Sequence, residues 1–260
     1  MIATHRLMHS FNRLDVDDAQ ELIDTRLWQC GLLSSHERHA LRDAMRTAKS
    51  VPAYTDLIRE GDDAGNMFIM LSGWACRYAT TNAGARQLSA IMVPGDVGNL
   101  GSLMLDRLGY GMRTLTKATV VALPRQRALA LASEHPGIGR AFTWLSLTEN
   151  AILSQWTLSL GRRLSIERLA HFLCELSVRL DAERDNQSRF AFPLTQETIA
   201  DMLGLTPIHV NRKIQQLRAD GLVVDVDRTM WLPDVARLRA LGGFDPGYLY
   251  RNEPQITDIM

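Results

Sequence analysis

The clearest structural signal in the chain comes from PLTQETIADMLGLTPIHVNRKIQQLRADGLVVDVDRTMWL (residues 193–232). Thr195 is a suitable N-cap for a short helix, and Gly204 supplies the tight turn at which that helix ends. Thr206 then caps a second helix that starts at Pro207, where the missing N–H of proline costs nothing. Two short helices joined by a glycine turn predict a helix–turn–helix.

The second helix of this motif is amphipathic. Val210, Ile214 and Leu217 form one stripe, because residues three and four apart share a helix face. The opposite face is polar, and such side chains can read base edges in the major groove: Arg pairs bidentately with guanine, and Asn or Gln with adenine. The predicted DNA contacts of the motif are Thr195, Gln196, Thr206, Ile208, His209, Asn211, Arg212, Lys213 and Gln215.

A β-hairpin is predicted directly after the second helix. Residues 222–225 and 229–232 are β-prone and flank a turn at Asp227 and Arg228. A wing of this kind lies beside the phosphate backbone, which makes Arg228 a further predicted DNA contact. Helix–turn–helix patterns also occur in ordinary helical proteins whose polar faces are only solvated, so spacing alone leaves DNA binding and a structural role both open.

A long helical pattern precedes the motif, starting near residue 137, and Gly161 is expected to break it. A second amphipathic helix is then expected as far as Leu180. The segment could be the core of one domain, but a helix of this length between two domains has few partners within one chain. We therefore predict the seam of a homodimer within residues 137–160. Its heptad-like stripe is formed by Phe142, Leu145, Glu149, Ile152, Trp156 and Ser159.

Residues 51–124 carry a different pattern, in which short β-prone runs alternate with glycine-bearing turns. This pattern is typical of an antiparallel barrel or roll. The runs are 56–59, 67–71, 74–78, 87–92 and 118–123.

Two helices are predicted before this β region. The first spans residues 18–28. A capping box from Ser34 to Glu37 opens the second, which extends to about residue 46. His36 and His39 lie one turn apart on it, and we interpret them as surface residues rather than metal or haem ligands.

Composition limits the class of protein. The 29 basic residues balance 29 acidic ones, so net charge does not indicate a nucleic-acid partner. Hydrophobic residues make up 46%, and no run approaches the roughly 18 apolar residues of a membrane helix. The N-terminal stretch MIATHRLMHSFNRLD lacks the apolar core of a signal peptide. We expect a cytoplasmic protein with no membrane partner.

The three cysteines are Cys30, Cys76 and Cys174. They are widely separated and odd in number, which predicts neither a disulfide framework nor a metal site. We interpret them as buried reduced thiols rather than redox sensors.

Four blocks, in order, give the chain its resemblance to the Crp/Fnr superfamily. LIREGDDAGNMFIMLSGWACRY (57–78) resembles the opening of its β-roll, and VPGDVGNLGSL (93–103) its phosphate-binding cassette. GRRLSIERLAHFLCELSVRL (161–180) is similar to the helix after its dimer helix, and LTQETIADMLGLTPIHVNR (194–212) to its helix–turn–helix.

The resemblance implies an α+β fold with an antiparallel β-roll sensor domain, a long dimerisation helix and a C-terminal winged helix–turn–helix. The expected boundaries are 1–136, 137–160, 161–243 and a tail over 244–260. It further implies a homodimer on a palindromic promoter site in double-stranded DNA. A small-molecule effector and RNA polymerase are further candidate partners.

The resemblance also assigns roles on the recognition helix. Arg212 falls on the family's base-contacting arginine. Ile208 stands where a glutamate often reads a base, so His209 and Asn211 are expected to share the readout.

The sensor departs from the cyclic-AMP-binding members of the family. Asn99 stands at the position of their ribose-binding glutamate, and Leu108 and Gly109 where an Arg-Ser pair would hold the cyclic phosphate. Arg113 lies a few residues beyond that pair and would reach the pocket if the strand were shifted. The expected effector pocket comprises Gly98, Asn99, Leu100, Gly101, Ser102 and Arg113.

The chain is thus expected to be a DNA-binding regulator without catalytic activity that does not bind cyclic AMP. An iron–sulfur cluster would need four cysteines, most of them near the N-terminus, where only Cys30 lies, and scattered histidines do not identify a haem site. The cofactor and effector stay unassigned. The alternatives are a subunit of an enzyme regulated by a cyclic nucleotide or another small molecule, a structural dimerisation module, and a ligand-independent regulator controlled by its abundance.

Overall fold

The computed structural model describes residues 32–251. The helix predicted over residues 18–28 and Cys30 lie outside the described residues. Within them, helix α1 (Ser35–Ala44) opens with the predicted capping box: the backbone N–H of Glu37 donates to Ser34 Oγ, and the Glu37 carboxylate accepts from the backbone N–H of Ser34. The helix ends two residues before the predicted end at residue 46.

Eight strands form the β-roll as two four-stranded antiparallel sheets, ordered β1-β8-β3-β6 and β2-β7-β4-β5. All five predicted runs are strands. The sequence pattern does not reveal β1, β6 and β7, which have only two to four residues each. The strands are β1 (Ala48–Val51), β2 (Asp56–Ile58), β3 (Asn66–Ser72), β4 (Ala75–Thr80), β5 (Arg86–Met92), β6 (Val97–Gly98), β7 (Gly111–Thr114) and β8 (Ala118–Pro124).

Three helices follow the roll: α2 (Arg125–Glu134), α3 (Pro136–Arg162) and α4 (Ser165–Arg179). The expectation that Gly161 breaks the long helix is wrong, since α3 continues through Gly161 and ends at Arg162. One glycine destabilises a helix by only about 1 kcal/mol relative to alanine, which is too little to end a helix as long as α3. The helix stops where the backbone of Arg163 becomes extended (ψ 146°).

The C-terminal part combines helices with a small sheet of order β11-β12-β10-β9. Strands β9 and β10 have no counterpart in the sequence prediction, whereas the predicted hairpin forms β11 and β12. A 3-10 helix, Pro246–Leu249, then packs against α3. The elements before it are β9 (Glu183–Arg184), β10 (Gln187–Ala191), α5 (Gln196–Leu203), α6 (Pro207–Ala219), β11 (Val224–Val226), β12 (Thr229–Leu232) and α7 (Val235–Gly242).

Cys76 and Cys174 are both buried and free. Burial raises the pKa of Cys76 to about 11 and that of Cys174 to about 12, so both thiols stay protonated at neutral pH. This agrees with their interpretation as buried thiols. Over residues 32–251, no helix is long and apolar enough to cross a membrane, and no cluster of three or more His, Cys, Asp or Glu could hold a metal ion.

Candidate nucleic-acid interface and sensor cavity

The helix–turn–helix is built from α5 and α6. The N–H of Thr198 donates to Thr195 Oγ1 over 3.1 Å, and the N–H of His209 to Thr206 Oγ1 over 3.3 Å, so both predicted N-caps form. Gly204 ends α5 in the left-handed region (φ +63°), which glycine enters without steric cost. The local sequence therefore determines where both helices begin and where the first one ends.

Helix α6 has the two faces that its sequence predicts. Val210, Ile214 and Leu217 are buried in the core shared with α4 and α5. On the opposite face Ile208 is 66% exposed, and Arg212 is exposed and makes no hydrogen bond or ion pair with any described residue. The other predicted contacts that are exposed are Thr195, Gln196, Thr206, His209, Asn211 and Gln215.

Besides the capping residues Thr195 and Thr206, Lys213 and His209 also have contacts within the chain. Lys213 is half-buried, and its Nζ donates to Gln216 Oε1 over 3.1 Å. The His209 ring Nδ1 lies 3.2 Å from Thr206 Oγ1, beside the cap of its own helix. Lys213 keeps further N–H donors and His209 keeps its Nε2, so each side chain can still meet a base or a phosphate.

The wing is a two-residue hairpin between β11 and β12. Asp227 (φ +50°) and Arg228 (φ +57°) both adopt the left-handed conformation, as a type I′ turn requires. The carbonyl of Arg228 accepts from the N–H of Phe192 over 2.7 Å, while the Arg228 side chain is exposed. The wing tip is thus held beside the chain that leads into α5.

Half of the predicted dimer seam is buried within a single chain, so three of its residues are not available to a partner. Phe142, Trp156 and Ser159 are buried, and Trp156 Nε1 donates to Glu175 on α4 over 3.0 Å. Heptad spacing identifies an apolar helix face, but it does not distinguish a face that packs within the chain from one that meets a partner. The remaining seam residues are half-buried and line a cavity; they are Leu145, Glu149 and Ile152.

Another face of α3 is the more exposed one. Leu147 is 61% exposed and Leu158 is 45% exposed. Both belong to a second stripe, spaced by alternating three and four residues, whose members are exposed or half-buried. This stripe contains Trp144, Leu147, Ala151, Ser154, Leu158 and Gly161.

Side chains of the roll pack closely around two glycines of the predicted effector pocket. A Cβ at Gly98 would overlap the terminal methyl groups of Met92 and Met112. Leu100 is buried in the roll, and a Cβ at Gly101 would meet Leu108 at 3.3 Å. The chain's own side chains therefore lie directly against Gly98 and Gly101.

Polar atoms of the cassette are also committed, with one exception. Buried Asn99 donates from Nδ2 to the carbonyl of Asn66 over 2.5 Å and accepts from Tyr110 OH over 3.2 Å. Ser102 Oγ is buried without a partner among residues 32–251. Asn99 thus closes the position that corresponds to the ribose-binding glutamate.

Arg113 does not reach the cassette. Its Nε and Nη2 donate to the two carboxylate oxygens of Asp56 over 2.7 and 3.0 Å. These hydrogen bonds hold the pKa of Asp56 below its usual range, although burial opposes the shift. The shifted-strand alternative is wrong, because β7 pairs Arg113 with Asp56 on β2.

A cavity of about 120 Å³ lies instead between the roll and α3. Arg77 forms an ion pair with Glu149 across it, and Arg77 Nε donates to Ser89 Oγ over 3.1 Å. Thr148 Oγ1 is buried there without a partner among the described residues. The cavity walls include Ile152, so the space combines apolar surface with a few polar groups.

Comparisons with known proteins agree with this architecture. A model of the cyclic nucleotide-binding domain matches residues 48–135, and one of the Crp-like helix-turn-helix domain matches residues 167–241. The transcriptional activator FnrL of Cereibacter sphaeroides is 28% identical over 222 residues, covering 83% of this chain and 88% of that protein. The transcriptional activator anr of Pseudomonas aeruginosa is 24% identical over 211 residues, covering 81% and 86%.

Solved structures give the same result. FixK2 from Bradyrhizobium japonicum superimposes with a TM-score of 0.68 at 25% identity, over 75% of this chain and 96% of that one. The relatives are transcription regulators, in agreement with the expectation that the chain is not an enzyme. With both domain models matched in order along it, the chain belongs to the Crp/Fnr family of DNA-binding transcription regulators.

Proposed function

We propose that the protein acts in the cytoplasm as a homodimer that binds a palindromic promoter site, with one α6 helix in the major groove of each half-site. The single observation that carries this proposal is Arg212, which is exposed opposite the buried stripe of α6 and unpaired among the described residues. A long cationic side chain left free on a helix face can reach a guanine edge and pair with it bidentately.

Neighbouring residues would complete the reading of each half-site. Asn211 and Gln215 are exposed and carry amides that can pair with adenine. Ile208, at 66% exposure, offers an apolar contact to a thymine methyl group in place of a charged base contact. Arg228 on the wing would contact phosphate, which adds affinity without sequence preference.

A second copy of the chain is the occupant we propose for the exposed face of α3. The stripe from Trp144 to Gly161 keeps the alternating spacing of a coiled-coil seam. Two parallel copies would match residue to residue, as a two-fold interface requires. A two-fold dimer would in turn present its two α6 helices to a palindrome.

The sensor domain is proposed to respond to an effector other than cyclic AMP. Its site would be the cavity between the roll and α3, where the unpartnered Thr148 hydroxyl and the Arg77–Glu149 pair offer polar contacts. Control by abundance alone is the alternative. Because two matched relatives are named as transcriptional activators, RNA polymerase is proposed as a further partner.

The test is selection of binding sites from a random pool of double-stranded DNA by the purified protein. We expect a two-fold symmetric site, and Arg212→Ala should weaken binding to it by about 1–3 kcal/mol and relax the choice at one base. Arg46→Ala, which removes an exposed arginine beside α1, is the control. Selection of no symmetric site, or unchanged selectivity in Arg212→Ala, would contradict the proposal.

A further inference from the structure

A buried carboxylate connects three elements at the junction between the sensor and the DNA-binding domain. Glu175, on α4, is 0% exposed. Its Oε2 accepts from Trp156 Nε1 on α3 over 3.0 Å and from Tyr248 OH, in the C-terminal 3-10 helix, over 2.8 Å. Its Oε1 accepts from Arg179 Nη1 over 3.0 Å. Both carboxylate oxygens are thus in use.

Arg179 extends this network into the β-roll. Its Nη2 donates to Asp96 Oδ2 and to the carbonyl of Ile91, each over 2.7 Å. Burial opposes a charge here, but Asp96 and Glu175 outweigh it and raise the pKa of Arg179. The guanidinium therefore remains charged and joins α4 to the turn between β5 and β6.

Helix α4 in turn supports the recognition helix. Leu169, Phe172 and Leu176 of α4 share one core with Val210 and Ile214 of α6. Any rotation of α4 relative to the roll therefore moves α6. The network lies at the point where such a rotation would be resisted.

We propose that Glu175, Arg179 and Tyr248 are positioning residues that together set the angle between the sensor and the DNA-binding domain. Apolar packing is non-directional and tolerates sliding, whereas these hydrogen bonds fix both distance and direction. Apolar residues of similar volume often stabilise a fold as well as a buried ion pair does, so stability alone does not account for the network. The inference rests on the proposed function, because in that homodimer this angle determines the separation of the two recognition helices.

The experiment uses the full chain and its selected operator. Half-sites are moved apart or together in steps of one base pair, and affinity is measured for each spacing and for a single half-site. Tyr248→Phe removes one hydroxyl and keeps the ring. Arg179→Lys keeps the charge but loses the planar guanidinium whose separate nitrogens bond Glu175 and Asp96. We expect each variant to lose about tenfold in affinity at the preferred spacing, to accept neighbouring spacings, and to bind a half-site normally.

Arg184→Lys is the matched control, because Arg184 pairs with Asp181 at an exposed position. It should retain the wild-type spacing preference. If Tyr248→Phe, or an Arg179→Lys protein that still binds a half-site, keeps the wild-type preference, the inference is overturned. If Arg179→Lys loses half-site binding because it fails to fold, Tyr248→Phe decides the outcome. If the wild type itself selects no two-part site, it is the proposed function that has failed, and the inference falls with it.

Discussion

The helix–turn–helix and the cassette of the β-roll differ in the exposure of their candidate functional residues. In the helix–turn–helix, Arg212, Asn211 and Gln215 are exposed. In the cassette of the β-roll, Met92 and Met112 pack against Gly98, and Asn99 is hydrogen-bonded to Asn66. The DNA-binding end thus presents side chains to solvent, whereas the cassette directs its side chains to contacts within the chain.

The largest expected effect tests whether dimerisation through the exposed face of α3 is needed for DNA binding. Leu147→Asp would place an unpaired charge in the proposed seam, at a cost of about 3–5 kcal/mol. The protein should become monomeric by light scattering and lose operator affinity, although no DNA contact has changed. Leu129→Asp, on the exposed side of α2, should remain dimeric. A dimeric Leu147→Asp protein would show that another surface joins the subunits.

The second effect concerns stability in acid and arises in the DNA-binding domain. Burial, with a smaller contribution from Arg163, lowers the pKa of His171 from 6.5 to about 4. The unfolded chain then binds this proton at a higher pH than the folded chain does. The contribution to stability is complete above pH 6.5 and falls as the pH drops towards 4, by about 3 kcal/mol in all.

Denaturant unfolding at about pH 7 and about pH 4.5, on either side of the unfolded-state pKa, measures this loss. His171→Phe should reduce the difference between the two free energies of unfolding, because the ring stays beside Phe244 and Tyr248 but no longer titrates. His39→Gln, at an exposed position, should leave the difference unchanged. If His171→Phe loses as much unfolding free energy on acidification as the wild type does, other titratable groups cause the loss.

A smaller effect separates the wing from the recognition helix. Arg228→Ala should weaken binding to operator and random DNA alike and reduce the slope of log affinity against log salt by about one unit. Arg212→Ala should instead act mainly on the operator. If both variants lose the same selectivity, Arg212 and Arg228 do not differ as base contact and phosphate contact.

The last prediction is that cyclic AMP does not bind to the sensor domain. Cyclic AMP should give no binding heat at micromolar concentrations in isothermal titration, because Met92 and Met112 pack against Gly98 and Arg113 is bonded to Asp56. Arg113→Ala should behave as the wild type does. Micromolar binding that Arg113→Ala abolishes would mean that the Asp56–Arg113 pair opens and that the sensor end is not closed.

Local patterns explain what was predictable from the sequence. The caps at Thr195 and Thr206 and the stripe from Val210 to Leu217 depend on residues within a few positions of each other, and the structure confirms all of them. The face of α3 and the filling of the cassette depend instead on side chains from distant strands. Gly98 meets Met112 only because β6 and β7 come together in the folded roll.

The position of the C-terminal 3-10 helix has an evolutionary consequence. The matched helix-turn-helix model ends at residue 241, yet Tyr248 bonds to Glu175 and Leu249 lines the cavity between the roll and α3. With the proposed positioning role, substitutions in this short segment would change how the domains are coupled without altering any base-reading side chain. Related regulators could thus diverge in responsiveness while continuing to share the same operators.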